Sequence, residues 1–366
     1  MARDVTTAPL GADCHRVEDS FASEEGPLLS SEQPHGQSTS WAVNVGVAAA
    51  YGAASVVTTL ANKALLSSWG FDLVISLLFA QNILTVGVVL ALKLLQAPRR
   101  SLDGAALSNE LSFPLWEPGL ALVMTPVMLV CSANLWCGMN ALRLSSVPVY
   151  QTLKRMTPLP AMLLECAMRG KRYSPPVCLS VITVCLGAFL TGCGDLDMNA
   201  RGYLFAIASC ALQALYLVLA SKASDARPLS SLAAAYYNSL LSLPLLVFGV
   251  AYEADELLAF ASWGEPRFIA MLLLDLLLGA SLSLLLFACT LVNSALTTTI
   301  VGNAKAVATT MLGAVLFGKV GLDTLGWVGV GLNTAGGVFY SLAKCAEKSP
   351  RSGHIGPAEA PRKLVR

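Results

Sequence analysis

Between residues 41 and 344 the chain alternates long apolar stretches with short polar joins. The stretches run over 41–62, 72–95, 116–140, 146–168, 175–193, 202–222, 230–252, 267–291, 294–317 and 324–344. Each has about the length a helix needs to cross ~30 Å of hydrocarbon. The joins carry turn punctuation at Pro98, Asp103, Pro114, Pro148, Pro175, Pro176, Pro228 and Pro266. The weakest join is Val292–Asn293–Ser294, where one unbroken apolar run would make the count odd. The pattern predicts an all-α membrane protein with about ten transmembrane helices. Residues 1–40 are rich in Ser, Glu, Pro and Gly and lack apolar periodicity. That composition predicts a disordered N-terminal tail, without the apolar stretch of a signal peptide. Residues 345–366, with Pro350, Pro357 and Pro361, predict a second disordered tail.

Composition agrees with a membrane domain at 41–344. Of 366 residues, 55% are hydrophobic and 13% charged, and mean hydropathy is +0.63. An average soluble domain carries about 25% charged residues. A soluble fold cannot hide that much apolar surface, which excludes a soluble enzyme, a nucleic-acid binder and a secreted disulfide scaffold. The formal net charge is +1, so no global field favours a polyanionic partner. The only histidines, His15, His35 and His354, lie in the tails. The membrane part therefore has no imidazole for a proton relay, a haem or a zinc site. The ten cysteines form no CxxC pair and read as small buried hydrophobes. No cofactor and no metal are expected.

Lys and Arg set the orientation. With the N-terminal tail in the cytosol, sixteen of the 24 basic residues fall on the cytosolic side, five on the far side and three inside spans. Both tails are therefore expected in the cytosol.

The fourth and ninth stretches resemble each other. SVPVYQTLKRMTPLPAMLLECAMRGK and NSALTTTIVGNAKAVATTMLGAVLFGK each begin with Ser and small residues, place a Lys mid-span and end in Gly–Lys. The following stretches match in outline: Gly187 lies 33 residues after Lys154, and Gly337 lies 32 after Lys305. Two five-helix halves, about 41–193 and 202–344, must have opposite orientation because five is odd. This predicts the inverted repeat of secondary transporters, with a substrate site near the midplane. The competing explanation is chance likeness between apolar helices.

Lys154, Arg155, Glu165, Asp275 and Lys305 fall within or near apolar stretches. A charge at mid-bilayer costs at least ~2.5–3.5 kcal/mol, so it should face a cavity or a partner. Two cations at equivalent repeat positions suit an anionic ligand such as a phosphate, which Lys meets as a point charge and Arg as a fork. The alternative is internal pairing of Arg155 or Lys305 with Asp275 or Glu165. Asp275 reads equally as a cavity residue and as a structural partner. The cluster Tyr236–Tyr237–Asn238–Ser239 is denser than interhelical glue requires. Its rings could stack on a base and Asn238 pair with a base edge; tyrosine at a membrane interface is the plainer explanation.

At these residues the chain resembles the nucleotide-sugar transporters of the drug/metabolite transporter superfamily, the solute carrier 35 group, and within it the D branch of UDP-sugar carriers. The likeness covers about 41–344. It rests on Asn62–Lys63 and Gln81, on VPVYQTLKR, on GCGDLD followed by Gly202–Tyr203, on YYNS, and on NSALTTTIVGNAK. It implies a strict exchanger that imports a cytosolic nucleotide sugar into the Golgi or ER lumen and returns the nucleoside monophosphate. Carried over by motif, Tyr236, Tyr237 and Asn238 contact the base, Lys305 with Asn303 in the VGNAK segment contacts phosphate or sugar, and Lys154 and Arg155 form the fourth-span basic pair. Two departures matter. GDP-mannose carriers show GALNK where this chain reads VGNAK, with Ala304 in place of the Asn. The second Asn of FYNN is Ser239 here. Both favour uridine and a UMP counter-substrate; a GDP-sugar/GMP exchanger is the alternative. The expected partners are thus a nucleotide sugar, a nucleoside monophosphate and the lipid bilayer, with a homodimer compatible and no nucleic acid.

Three rival classes have their own signals. Asp195–Leu196–Asp197 reads superficially as the DxD metal pair of a glycosyltransferase, but its loop is too short for a catalytic domain. Glu24, Leu28 and Leu29 fall in an acidic dileucine pattern, which would suit an endosomal trafficking or scaffold protein on the same fold. An exporter of neutral amino acids or drugs is disfavoured by the membrane cations.

Overall fold

A computed structural model of the chain describes residues 41–96, 111–170, 172–227, 229–292, 295–318 and 321–348. The helices, in chain order, are α1 (Trp41–Lys63), α2 (Val74–Gln96), α3 (Pro118–Leu144), α4 (Val147–Lys154), α5 (Pro158–Arg169), α6 (Pro175–Cys193), α7 (Ala200–Ala226), α8 (Ser231–Tyr252), the short α9 (Ala254–Ala259), α10 (Pro266–Val292), α11 (Ala295–Leu316) and α12 (Thr324–Lys348). A π-turn, Ala64–Ser68, continues α1. Proline opens several helices: Pro118, Pro158, Pro175 and Pro266 are each the first residue of one, where a missing N–H costs nothing. Asn199 and Ser230 cap α7 and α8 with their side-chain oxygens. Gly170, at φ 63°, ends α5 in the left-handed conformation that an L side chain rarely adopts.

Six helices among the described residues are long and apolar enough to cross a membrane: 44–68, 74–95, 118–144, 175–193, 200–224 and 232–252. Val301–Leu316 is a shorter apolar helix. The remaining stretches of the apolar pattern are helical as well, and the protein is a multi-pass membrane protein. The last helix runs to Lys348, past the expected boundary at 344. The expected N-terminal tail, with Glu24, Leu28 and Leu29, and the C-terminal tail beyond Lys348 lie outside the described residues.

The fourth span departs from the sequence expectation. It is two helices, α4 and α5, separated by a turn at Arg155–Thr157. Pro158 has no N–H to give the Lys154 carbonyl and its ring crowds that oxygen, so the α-helical ladder stops there. The carbonyl instead accepts from the Thr157 N–H at 3.2 Å and the Thr157 hydroxyl at 2.7 Å.

The packing repeats itself under exchange of halves. The pairs α1/α7, α2/α8, α3/α10, α4–α5/α11 and α6/α12 are equivalent. Thus α3 packs on α7 as α10 packs on α1, and α3 on α8 as α10 on α2. Likewise α4 and α5 pack on α7 as α11 packs on α1. The self-equivalent pairs α2–α8, α4–α11 and α6–α12 all meet. The likeness of the fourth and ninth stretches therefore reflects a two-fold architecture.

The α6–α12 pair is closest. A Cβ on Gly187 would lie 2.3 Å from the Asn333 nitrogen, and one on Gly329 2.4 Å from the Thr191 nitrogen. Only glycine allows backbones to approach this far, and in lipid such contact replaces the missing hydrophobic drive. At one end the pair is tied by an antiparallel bridge, with Leu196 N–H on Gly321 O at 2.6 Å and Asp323 N–H on Gly194 O at 2.9 Å. Asp195 accepts from the Tyr203 hydroxyl at 2.8 Å, so the DxD segment is part of this tie.

Candidate functional site

The break in the fourth span lies between α7, α11 and α12, and α7 and α12 contribute polar groups to it. Lys154 ends α4, with its ammonium 5.9 Å from the Tyr150 ring centroid. Arg155, the next residue, turns away from it. Its guanidinium is buried and donates to the Thr334 hydroxyl of α12 at 2.6 Å. Neighbouring Asn333 donates to the carbonyls of Thr152 at 3.2 Å and Val184 at 2.9 Å. Cys210 of α7 donates to the Leu153 carbonyl at 3.2 Å. Helix α12 and α7 thus hold the carbonyls and the arginine that the break releases. The expected basic pair is split: adjacent residues at a helix end point to different neighbours.

Lys305 sits in α11, which packs on α4, so the two lysines of the repeat lie on adjoining spans. Lys305 is 8% exposed and donates to the Tyr51 hydroxyl of α1 at 3.0 Å, with the ring centroid 4.9 Å away. Sequence reading missed Tyr51. Its signal was present, since it is a tyrosine midway along an apolar helix. Asn303, two residues from Lys305, lies on another face of α11 and donates to Ser341 of α12 at 2.7 Å.

The tyrosine cluster lies elsewhere, at the end of the bundle bearing residues 111–117. Tyr236 and Tyr237 are both buried and meet edge to face at 5.6 Å, with Phe113 packed on both. The Tyr237 hydroxyl donates to the Pro114 carbonyl at 2.8 Å. Neither ring offers an open face here. Asn238 differs: its amide donates to the Cys131 sulfur at 3.2 Å, and its buried oxygen has no hydrogen-bond partner. Below it α3 and α7 share a polar column, in which Asn134 donates to Gln213 at 2.5 Å and accepts from Ser209 at 2.7 Å. At the end of the bundle, where α7 runs into α8, lies a cavity of about 460 Å³ lined by Phe113, Glu117, Arg227, Ser230 and Ala233. Arg227 and Glu117 form an ion pair there.

The two membrane acids have their own partners. Asp275 is fully buried and accepts from the Gln81 amide at 2.8 Å; Gln81 lies 3.4 Å from the Asn62 oxygen. Gln81 is the eighth residue of α2, and Asn238 the eighth of α8, so the halves place related amides against α10 and α3. Glu165 accepts from the Tyr173 hydroxyl. Burial and that carboxylate push the phenol of Tyr173, in the turn between α5 and α6, well above its usual range. Among the described residues no group of three or more His, Cys, Asp or Glu could hold a metal.

A sequence model of the Triose-phosphate Transporter family matches residues 45–341. The chain is 37% identical over 237 residues to UDP-galactose/UDP-glucose transporter 7 of Arabidopsis thaliana, covering 63% of this chain and 73% of that one. It is 31% identical over 309 residues to UDP-sugar transporter UST74c of Drosophila melanogaster, covering 83% and 79%. It is 29% identical over 294 residues to the Homo sapiens nucleotide sugar transporter SLC35D2, covering 80% and 83%.

Proposed function

The chain belongs to the Triose-phosphate Transporter family, and on that premise we propose that it is an antiporter importing a UDP-sugar into the Golgi or ER lumen in exchange for UMP. That it is a nucleotide-sugar transporter and not an enzyme agrees with its relatives' names. The observation that carries the finer reading is the broken fourth span. A discontinuous helix within a bundle of inverted repeats is where transporters place substrate. Here the break brings Lys154 to the end of α4 and Arg155 onto α12, beside the helix that bears buried Lys305. Cations in a low-dielectric site gain most from an anionic ligand. A diphosphate or a monophosphate serves equally, and its departure leaves the site costly. Reorientation is then fastest when either ligand is bound, which couples the two fluxes.

Asn238, whose buried oxygen has no hydrogen-bond partner, is the base reader. Tyr236 and Tyr237 wall that region, and Asn303 keeps α11 in register with α12. Ser239 and Ala304 favour uridine over guanosine. Both tails are placed in the cytosol by the Lys and Arg bias.

Exchange in proteoliposomes tests this. Vesicles preloaded with UMP or GMP are offered a panel of radiolabelled UDP- and GDP-sugars. Uptake stimulated by UMP alone establishes the UDP-sugar antiporter and names the sugar. Stimulation by GMP overturns the base assignment, and no uptake with any nucleotide by folded protein overturns the carrier.

A further inference from the structure

The two halves match in sequence at a place the substrate site does not use. Helix α1 closes with Leu60–Ala61–Asn62–Lys63, and its equivalent α7 carries Leu219–Ala220–Ser221–Lys222 near its end. Because the repeat is inverted, the two lysines lie at opposite ends of the bundle.

Their surroundings differ. Lys63 is 8% exposed and donates to three carbonyls at the end of α3: Leu142 at 2.9 Å, Arg143 at 3.2 Å and Ser145 at 2.8 Å. These are carbonyls that a helix terminus leaves without intrahelical partners, at the negative end of its dipole. Two further contacts reinforce the joint. Ser67 donates to the Arg143 carbonyl at 3.2 Å, and Arg143 pairs with Asp72 at 3.4 Å. At the same end Val147 of α4 closes on α11, where a Cβ on Gly313 would lie 2.4 Å from it. Lys222 is exposed.

The packing shows the same asymmetry. Helices α1 and α3 meet, and so do α4 and α12. The equivalent pairs, α7 with α10 and α11 with α6, meet less among the described residues. Every other main contact is two-fold. The structure is therefore shut at the Lys63 end and less tightly joined at the Lys222 end. In an inverted-repeat carrier the opposite state is reached when the halves exchange conformations.

We infer that Lys63 and Lys222 are paired latches of the transport cycle: Lys63 holds the α1–α3 end shut here, and Lys222 takes the carbonyl end of α10 when the opposite end shuts. This rests on the reading of the chain as an alternating-access carrier. Each latch closes one end through charge-assisted bonds made in only one state. A contact of that kind shifts the balance of states by its full value. Both are positioning residues, since neither touches the substrate site.

Hydrogen–deuterium exchange on purified, substrate-free protein tests the latches independently of nucleotide transport. Lys63→Met keeps the apolar stem and removes the ammonium. The amides of 64–73 should then exchange about tenfold faster, the shift expected from one charge-assisted bond. Those of 222–227 should exchange more slowly, as the population moves to the other state. Lys222→Met should not loosen 64–73. In proteoliposomes each single variant slows exchange, and the double variant, with the balance restored, exchanges faster than either. Loosening of 64–73 without protection of 222–227 overturns the proposal, leaving Lys63 a local cap. Additive loss in the double variant overturns it too. If Lys63→Met does not fold, Lys222→Met decides alone, because an exposed side chain can be replaced without loss of folding. Wild-type exchange in that variant ends the idea. If wild-type protein exchanges no nucleotide, the carrier reading falls, while the amide pattern still judges the latches.

Discussion

Lys305 shows what a single charge in the bundle demands. A buried ammonium is tolerable only where it finds partners, and Tyr51 supplies an oxygen and the negative face of a ring. Lys305→Ala should leave expression intact and lower nucleotide exchange by about 10–100-fold, the range of a lost charge-assisted bond. Tyr51→Phe keeps the ring and removes only the hydroxyl. It should cost a factor of about 2–10, seen in the substrate concentration for half-maximal exchange. If Lys305→Ala exchanged normally, the ammonium would be a packing group and the phosphate site would lie elsewhere. Asp275 follows the same rule with another outcome. Its partner is the neutral amide of Gln81, two helices away from the broken span, and it acts as an interhelical tie.

Between helices, two devices recur: backbone contact through glycine, and a proline that ends one helix where another should continue. Gly187→Ala would push α6 from α12, since the new Cβ has 2.3 Å of room. Overpacking of that kind costs about 1–3 kcal/mol, and a lowered midpoint in a detergent-phase thermal melt checks it. Pro158→Ala restores the missing N–H and removes the clash at the Lys154 carbonyl, which together disfavour an unbroken helix by ~3 kcal/mol. The variant should melt no lower than wild type and exchange several-fold more slowly. A straight fourth span that exchanged normally would detach the break from transport. The apolar pattern announced ten spans correctly in kind, but not this break. Pro158 and Pro160 were visible within it, yet a proline in a membrane helix kinks as often as it breaks, because neighbours can satisfy the freed carbonyls. Here Thr157 and Cys210 do so, and only the packing of α7 decides it.

Across the whole molecule, two like halves make unlike ends. The contacts of α3 with α7 and of α1 with α10 are copies, whereas α1 meets α3 more than α7 meets α10 among the described residues. The proposed alternating access would move the chain between two arrangements of similar energy. The proposed orientation adds a direction: in it the end bearing Arg227 and the 111–117 segment faces the cytosol. Epitope tags at both termini should therefore be reached by antibody after the plasma membrane alone is permeabilised. Tags reached only after full permeabilisation would reverse the orientation.

The sequence by itself determined the membrane class, the succession of helices, the inverted repeat and the residues most expensive to bury. Each follows from transfer free energy along the chain, which a linear pattern records. It did not determine which way those residues face. Spans that are apolar on nearly every side carry little amphipathic signal, and lipid offers no contrast between a packed face and an exposed one. So Lys154 and Arg155, neighbours in the chain, parted to Tyr150 and Thr334. Tyr236 and Tyr237 closed on Phe113, and Asn303 turned to Ser341. Tyr51, which the pattern left undistinguished, and Lys63, which it marked only as part of a motif, find their partners in Lys305 and in the carbonyl end of α3. Those pairings join residues far apart in sequence, and only the packed bundle brings them within hydrogen-bond reach.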